Sequence, residues 1–111
     1  MWQAELQGVV RIATWRPAIS GAEVRWDDLS DCFANQTRDR WVVDLADIRL
    51  VTSEGLAQII GAVRRVQLSG GKVAFARPSP LVAQIVRSMH LDRLVPLHAE
   101  VATAVAALAS A

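Results

Sequence analysis

The feature that most constrains the fold of this chain is an alternation, from residue 41 onward, of short apolar segments with amphipathic ones. Residues 41–46 and 72–76 are short and mostly apolar, as strands buried in a parallel sheet are. Residues 53–68 carry apolar side chains at helical spacing, and Gly70-Gly71 ends that helix because glycine adopts the left-handed conformation without steric penalty. Ser79-Pro80 begins another helix, with serine at the N-cap and proline at the first helical position. Strands joined by crossover helices predict an α/β fold with a mainly parallel sheet.

The two ends of the chain show weaker patterns. Residues Leu6 to Trp15 predict a strand, or a hairpin that is broken at Gly8. Residues 26–37 predict a helix because three apolar side chains fall on one helical face. Residues 94–97 predict a last short strand, and residues 99–111 an alanine-rich helix.

The composition indicates one small globular domain covering residues 1–111. The chain is 52% apolar, and its net charge of +1 is too small to draw it onto nucleic acid or an anionic membrane. Cys32 is the only cysteine, which excludes an internal disulfide and a cysteine zinc cluster. The sequence has neither a signal peptide nor an apolar run long enough to span a bilayer. We therefore expect a soluble cytoplasmic domain without nucleic-acid binding or membrane insertion.

Sequence signatures of catalysis are absent. The sequence contains no G-x-S-x-G nucleophile elbow, no phosphate-binding loop and no dinucleotide fingerprint. His90 and His98 are the only histidines, and neither has a carboxylate at metal-ligand spacing. We interpret the carboxylate pairs Asp27-Asp28 and Asp44-Asp47 as solvated or loop-capping residues. The sequence therefore predicts a protein that is not an enzyme and that needs no cofactor or metal.

One segment, residues 44–56, has the arrangement of a binding site. It runs from a predicted parallel strand through a loop into the start of a helix. The start of a helix has free backbone N–H groups and the positive end of the helix dipole, so ligands and charge-changing modifications act strongly there. Residues 52–55 lie at that position in the predicted structure.

The ordered set of these segments resembles the STAS domain family, which includes the bacterial anti-sigma factor antagonists. The resemblance covers about residues 38–111 and rests on Asp44-Leu45, on Thr52-Ser53-Glu54-Gly55-Leu56, on Gly70-Gly71, on Ser79-Pro80 and on residues 90–94. It implies a small α/β domain with a mixed, mainly parallel sheet of four to five strands and about four helices, packed mostly on one side. It also implies a protein partner, an anti-sigma factor with kinase activity, and a role in signal transduction and transcription regulation in bacteria.

The sequence departs from that family at the regulatory position. In the antagonists the kinase phosphorylates a hydroxyl residue at the start of the second helix, and the phosphate ends the interaction. Here Thr52 lies where the family often has aspartate, Ser53 matches the first hydroxyl residue, and Glu54 replaces the phosphorylated one. The loop from Arg16 to Gly21 also lacks the acidic residue that often faces the phosphosite. Two interpretations stay open: Glu54 fixes the domain in one signalling state, or it merely complements the helix dipole.

The resemblance implies a partner-binding site and is compatible with more than one function. The expected partner-binding residues are Thr52, Ser53, Glu54, Gly55 and Gln58, of which the first three form the equivalent of the phosphosite. The first function is an anti-sigma factor antagonist-like interaction module. The alternatives are a STAS subunit of a bacterial lipid-transport ATPase complex, or a small-molecule or nucleotide sensor with the same fold.

Overall fold

The computed structural model describes residues 2–15, 27–34, 36, 38–49 and 51–110. These residues form five strands, four α-helices and a 3₁₀ helix at Leu91–Arg93. In chain order the elements are β1 (Trp2–Gln7), β2 (Val10–Trp15), α1 (Asp27–Phe33), β3 (Arg40–Asp44), α2 (Ser53–Leu68), β4 (Lys72–Ala76), α3 (Pro80–Ser88), β5 (Leu97–His98) and α4 (Val101–Ala109). The predicted α/β class is confirmed.

The five strands form one mixed sheet in the order β1-β2-β3-β4-β5. β1 is antiparallel to β2, and every other neighbouring pair is parallel. A two-residue turn at Gly8 and Val9 joins β1 to β2, and Gly8 has a φ of 63°. Glycine at the first position of such a turn is typical of the II′ hairpin type. The hairpin interpretation is therefore correct, and its first strand reaches back to Trp2.

The larger core lies on the face of the sheet that is covered by α1, α2 and α3. Alternate strand residues point into it, as the two-residue period of a strand requires. Trp41 is fully buried there, its ring centroid is 4.7 Å from that of Phe33, and its indole N–H donates to the backbone oxygen of Gln36 at 2.9 Å. The buried indole therefore has a hydrogen-bond partner, as a tryptophan in a core needs.

A smaller core lies on the opposite face under α4. The side chains of Ala104 and Leu108 pack there on Val42 and on two alanines of β4, Ala74 and Ala76. Val10 and Ile12 of β2 complete this smaller core. Three helices on one face and one on the other agree with the expected packing mostly on one side.

α2 begins and ends where the sequence predicts, and α3 begins where it predicts. α2 spans Ser53–Leu68, and Gly70 takes a φ of 92° directly after it. The Gly70 amide donates to Gln67 at 3.1 Å and the Gly71 amide to Val66 at 2.9 Å, the paired bonds of a Schellman motif. α3 has Ser79 as its N-cap, whose hydroxyl accepts from the Val82 amide at 3.2 Å.

Four boundaries differ from the predicted ones. The helix predicted over 26–37 ends at Phe33, and residues 26, 35 and 37 lie outside the described part of the chain, as does the Arg16–Gly21 loop. β3 ends at Asp44 rather than at residue 46, because the Asp44 carboxylate accepts the Ala46 amide and turns the chain. The last strand is Leu97–His98, since Pro96 has no N–H with which to continue the ladder toward residue 94. α4 spans Val101–Ala109 within the predicted 99–111.

Candidate functional site

The loop between β3 and α2, residues 45–51, is anchored on the larger core. Leu45, Ile48 and Val51 are buried in that core, while Ala46 and Asp47 between them are exposed. The Ile48 amide donates to the backbone oxygen of Leu45 at 3.0 Å. Because the buried residues fix the loop at three points, the position at which α2 begins is fixed as well.

Thr52 is the N-cap of α2. Its backbone is extended (φ −83°, ψ 166°), and its hydroxyl accepts a hydrogen bond from the Gly55 amide at 3.0 Å. The Thr52 carbonyl accepts the first helical bond, from Leu56, at 2.9 Å. Threonine thus fills the capping role for which aspartate is also suited.

The first turn of α2 exposes three of the five residues proposed as the partner-binding site. Thr52, Ser53 and Glu54 are exposed, and Gln58, one turn further along, is half-buried. Gly55 is buried, so it serves the start of the helix rather than the exposed surface. Glu54 is the acidic residue of that first turn, where its charge complements the positive end of the helix dipole.

Beside this loop, Asp44 at the end of β3 binds Arg77, which directly follows β4. The Arg77 Nε donates to one carboxylate oxygen at 3.1 Å, and its Nη2 donates to the other. Asp44 also accepts the Ala46 amide at 3.1 Å and is buried, whereas half of the Arg77 side chain is exposed. This bidentate ion pair joins the ends of two neighbouring parallel strands, at the point where the loop between β3 and α2 leaves the sheet.

The Arg77 backbone and charge are both adapted to this contact. Arg77 has a positive φ of 54°, and its amide donates to the His98 carbonyl at 3.0 Å. The hydrogen bond that Arg77 donates to Asp44 and then the negative charge of Asp44 raise the pKa of Arg77, with a smaller contribution from the charge of Asp47. A raised pKa of a basic group adds stability that is complete below the ordinary pKa and is lost only as pH rises through the higher folded value. Arg77 therefore keeps its charge across neutral and mildly alkaline pH.

The described residues contain no group of three histidine, cysteine or carboxylate side chains that could hold a metal ion. His90 directly follows the C-cap of α3 in a left-handed conformation (φ 58°), and His98 lies in β5. His90 thus lies at the end of a helix and His98 at the end of a strand. Within the described ranges, no helix combines the length and the apolar character that crossing a bilayer would require.

Comparison with known proteins assigns this arrangement to a family. The family model described as "Mlab, STAS domain" matches residues 18–96, which is most of the chain and includes β3, the loop and α2. The chain belongs to the STAS domain family. A search of curated proteins finds no match.

Solved structures show the same fold for this STAS domain. An anti-sigma-factor antagonist (STAS) domain protein from Planctomyces limnophilus matches with a TM-score of 0.80 at 16% identity, covering 97% of this chain and 97% of that chain. A candidate anti-sigma factor antagonist from Thermotoga maritima matches with a TM-score of 0.77 at 16% identity, covering 96% of this chain and 93% of that chain. The STAS fold expected from the resemblance is confirmed.

Sequence reasoning missed one part of this STAS site, the contact between Asp44 and Arg77. Of the two roles that the sequence suggests for Asp44, loop capping is correct, and a solvated position is wrong because the carboxylate is buried. Its partner lies 33 positions away in the sequence. The available signal was an acidic residue at the end of one buried strand and a basic residue at the end of the next, since parallel strands end at the same edge of the sheet.

Proposed function

We propose that this STAS domain is a non-enzymatic interaction module that binds a protein partner through the first turn of α2. The observation that carries the proposal is the exposure of Thr52, Ser53 and Glu54 on a helix whose start is held by a buried loop and an N-cap. A fixed, charged and exposed turn offers a partner a surface that needs no reordering on binding. The absence of catalytic motifs from the sequence supports a binding role over an enzymatic one.

The proposed partner is an anti-sigma factor with a serine-kinase-like fold, so that the domain regulates transcription in the bacterial cytoplasm. The support is the fold shared with two proteins described as anti-sigma factor antagonists. In this scheme Glu54 is a constant negative charge at the position where the family is phosphorylated. Its charge of −1 is smaller than the −1.5 to −2 that phosphoserine carries near neutral pH, so a partner must be adapted to the carboxylate.

The usual phosphorylation switch is expected to be lost. Glu54 has no hydroxyl, the Thr52 hydroxyl already accepts the Gly55 amide, and Ser53 is displaced by one residue, about 100° around the helix. After incubation with the partner kinase and ATP, intact-mass measurement is expected to show no stoichiometric phosphate. A phosphate that peptide mapping places on Ser53 would contradict the loss of the switch.

The partner surface is tested by reversing the charge of Glu54. Glu54→Lys is expected to weaken partner binding by several kcal/mol, because like charges then meet across the interface. Its cost in folding stability is only about 0.3–1 kcal/mol, from the lost complement to the helix dipole. The partner is identified by pull-down from the native host with mass spectrometry, and purified partner is then titrated against each variant.

Two control variants make the titration specific. Glu100→Lys makes the same substitution at the start of α4, on the opposite face of the sheet, and is expected to bind like the wild type. Arg87→Glu changes an exposed charge on α3 and is also expected to be silent. Should Glu54→Lys bind normally while Arg87→Glu loses affinity, the surface lies on α3, where Leu81 and Met89 are 50% and 56% exposed.

A second candidate function is a STAS subunit of a bacterial lipid-transport complex that docks onto an ATPase. The family model favours keeping it, because its description, "Mlab, STAS domain", is not that of an antagonist. The same pull-down separates the two: recovery of a transport ATPase supports the second candidate, and recovery of a kinase-like anti-sigma factor supports the first. A nucleotide that co-purifies with the domain would support a sensor role instead.

A further inference from the structure

β1 is the edge strand of the sheet, and no other described strand pairs with its outer side. In a hairpin closed by a two-residue turn, the residues that flank the turn form a hydrogen-bonded pair, and the bonded pairs then alternate along the strands. Gln7 flanks the turn and pairs with Val10, so Gln7, Glu5 and Gln3 bond to β2. The backbone N–H and C=O of Ala4 and Leu6 therefore point to the outer edge, and neither has a backbone partner among the described residues.

The sequence of β1 has few of the features that protect such an edge. Natural edge strands are blunted by lysine, proline, bulges or very short length. β1 contains neither lysine nor proline, pairs with β2 over six consecutive residues without a bulge, and carries a single charge, on Glu5. Residues Gln3 to Gln7 are exposed, and Leu6 is 58% exposed.

The opposite edge of the sheet is different. β5 is only two residues long, and Pro96 before it has no N–H to offer. Among the described residues, the edge at β5 therefore offers few backbone groups for pairing, whereas the edge at β1 offers those of a six-residue strand. An exposed strand edge is self-complementary, because a second copy turned by a two-fold axis presents the same donors and acceptors in antiparallel order.

We propose that two copies of this chain associate through β1, which makes the two sheets continuous across a two-fold axis. The register pairs Ala4 with Ala4 of the second copy, so the outward N–H and C=O of this residue are both used twice. Glu5 then lies opposite Gln3, and Leu6 lies opposite Trp2. The alternative register centred on residue 5 would set Glu5 against Glu5, and like charges directly opposite each other destabilise a strand pair.

This interface does not use the start of α2. α2 packs against α1 and β4, and β4 lies three strands from β1 in the sheet. Self-association and partner binding are therefore separate properties of the molecule, and a variant can lose one while keeping the other.

The test removes a hydrogen-bond donor that only the second copy would use. In Ala4→Pro the outward N–H is lost, whereas the bonds to β2 come from Gln3, Glu5 and Gln7; proline is tolerated on an edge strand for this reason. Analytical ultracentrifugation over a wide concentration range is expected to show a wild-type dimer. Ala4→Pro is expected to raise its dissociation constant about tenfold or more, because the two-fold axis removes the bond twice.

Two further variants keep the test decisive. Ala4→Val retains the N–H and favours a strand, so it is expected to dimerise like the wild type. Leu6→Lys leaves the backbone intact and adds an edge lysine at an exposed position, so it is expected to fold and to be monomeric, even if Ala4→Pro does not fold. A wild-type protein that sediments as a monomer at every concentration overturns the proposal. So does a dimer whose affinity is unchanged in both Ala4→Pro and Leu6→Lys.

Discussion

Asp44 is the one charged residue that is buried in the part of the chain that the structure describes. A buried carboxylate is costly unless its oxygens accept hydrogen bonds, and here they accept three, two from the Arg77 guanidinium and one from the Ala46 amide. The side chain thereby links the end of β3, the strand beside it and the first residues of the site loop. The role of Asp44 is to position that loop rather than to meet a partner.

Asp44→Asn is expected to lower the free energy of unfolding by about 1–2 kcal/mol. The amide keeps the shape of the side chain but loses the charge and one of its two acceptor oxygens, so an Arg77 donor is left unpaired. The loss is moderate because half of the Arg77 side chain is in water and can be solvated. Urea denaturation measures it.

The control for this change is Asp47→Asn. Asp47 is exposed in the same loop, and its removal is expected to change stability by less than about 0.5 kcal/mol. An equal effect of the two substitutions would mean that the bonds of Asp44 do not hold the loop.

At the scale of elements, two glycines of the α2 region have opposite effects on stability. The glycine inside the helix lowers helix stability, whereas the glycine after the helix is needed for its backbone conformation. Gly61 lies in the exposed interior of the helix, where glycine costs stability and a Cβ would meet no atom within 4 Å. Gly70 follows the helix at a φ of 92°, and a Cβ there would also meet no atom within 4 Å. An added Cβ would therefore clash with no neighbouring atom at either glycine, and the two positions differ in their backbone conformation.

The same substitution is therefore expected to have opposite signs at the two positions. Gly61→Ala should stabilise the protein by about 0.8–1 kcal/mol through helix propensity. Gly70→Ala should destabilise it by about 1–2 kcal/mol, because an L-residue is strained in the left-handed conformation. Thermal or urea unfolding of the two variants checks the signs. Stabilisation by both would show that Gly70 does not need its positive φ.

An element can be predicted from the sequence when the interactions that set its ends are made between residues close in the sequence. Both ends of α2 and the start of α3 follow from the sequence because their caps, Ser79 and Gly70 among them, act through neighbours in the sequence. The predicted α1 is too long for two reasons. A helix of seven residues has only two turns over which an apolar pattern can repeat, and its end at Phe33 is in contact with Trp41, which lies outside that pattern. In the site, the exposed turn at Ser53 and Glu54 was found from the sequence, whereas the contact of Asp44 with Arg77 depends on which strands lie side by side.

At the scale of the whole molecule, the two faces of the sheet are unequally protected. Three helices cover one face, whereas among the described residues α4 is the helix that covers the other. Ala104 and Leu108 of that helix are buried, Val101 and Val105 are partly buried beside them, and two of the five strand residues beneath are alanines. Leu108 is therefore the largest buried side chain that α4 contributes to the second core.

Leu108→Ala is expected to cost about 2–4 kcal/mol of unfolding free energy. The loss combines the buried methyl groups with the cavity left between α4 and the sheet, which the alanines of β4 are too small to fill. Leu68→Ala, at an 86% exposed position at the end of α2, is the matched control and should change stability by less than about 0.5 kcal/mol. If Leu108→Ala changed the free energy of unfolding as little as the control does, the packing of α4 on the sheet would not contribute to stability through Leu108.

The single antiparallel pairing of the sheet sets an order in which the molecule folds. The two-residue turn at Gly8 brings β1 and β2 together locally, and isolated hairpins form in about 1–10 μs. Pairing β2 with β3 instead brings Val10 beside Arg40, across thirty positions of chain, and such distant contacts form slowly because the intervening loop must first close. The hairpin is expected to form and dissolve many times before β3 joins it. The speed of folding is therefore expected to depend on the crossover connections and not on the turn, since the pairing of β3 with β4 likewise brings Arg40 beside Lys72 across 32 positions of chain.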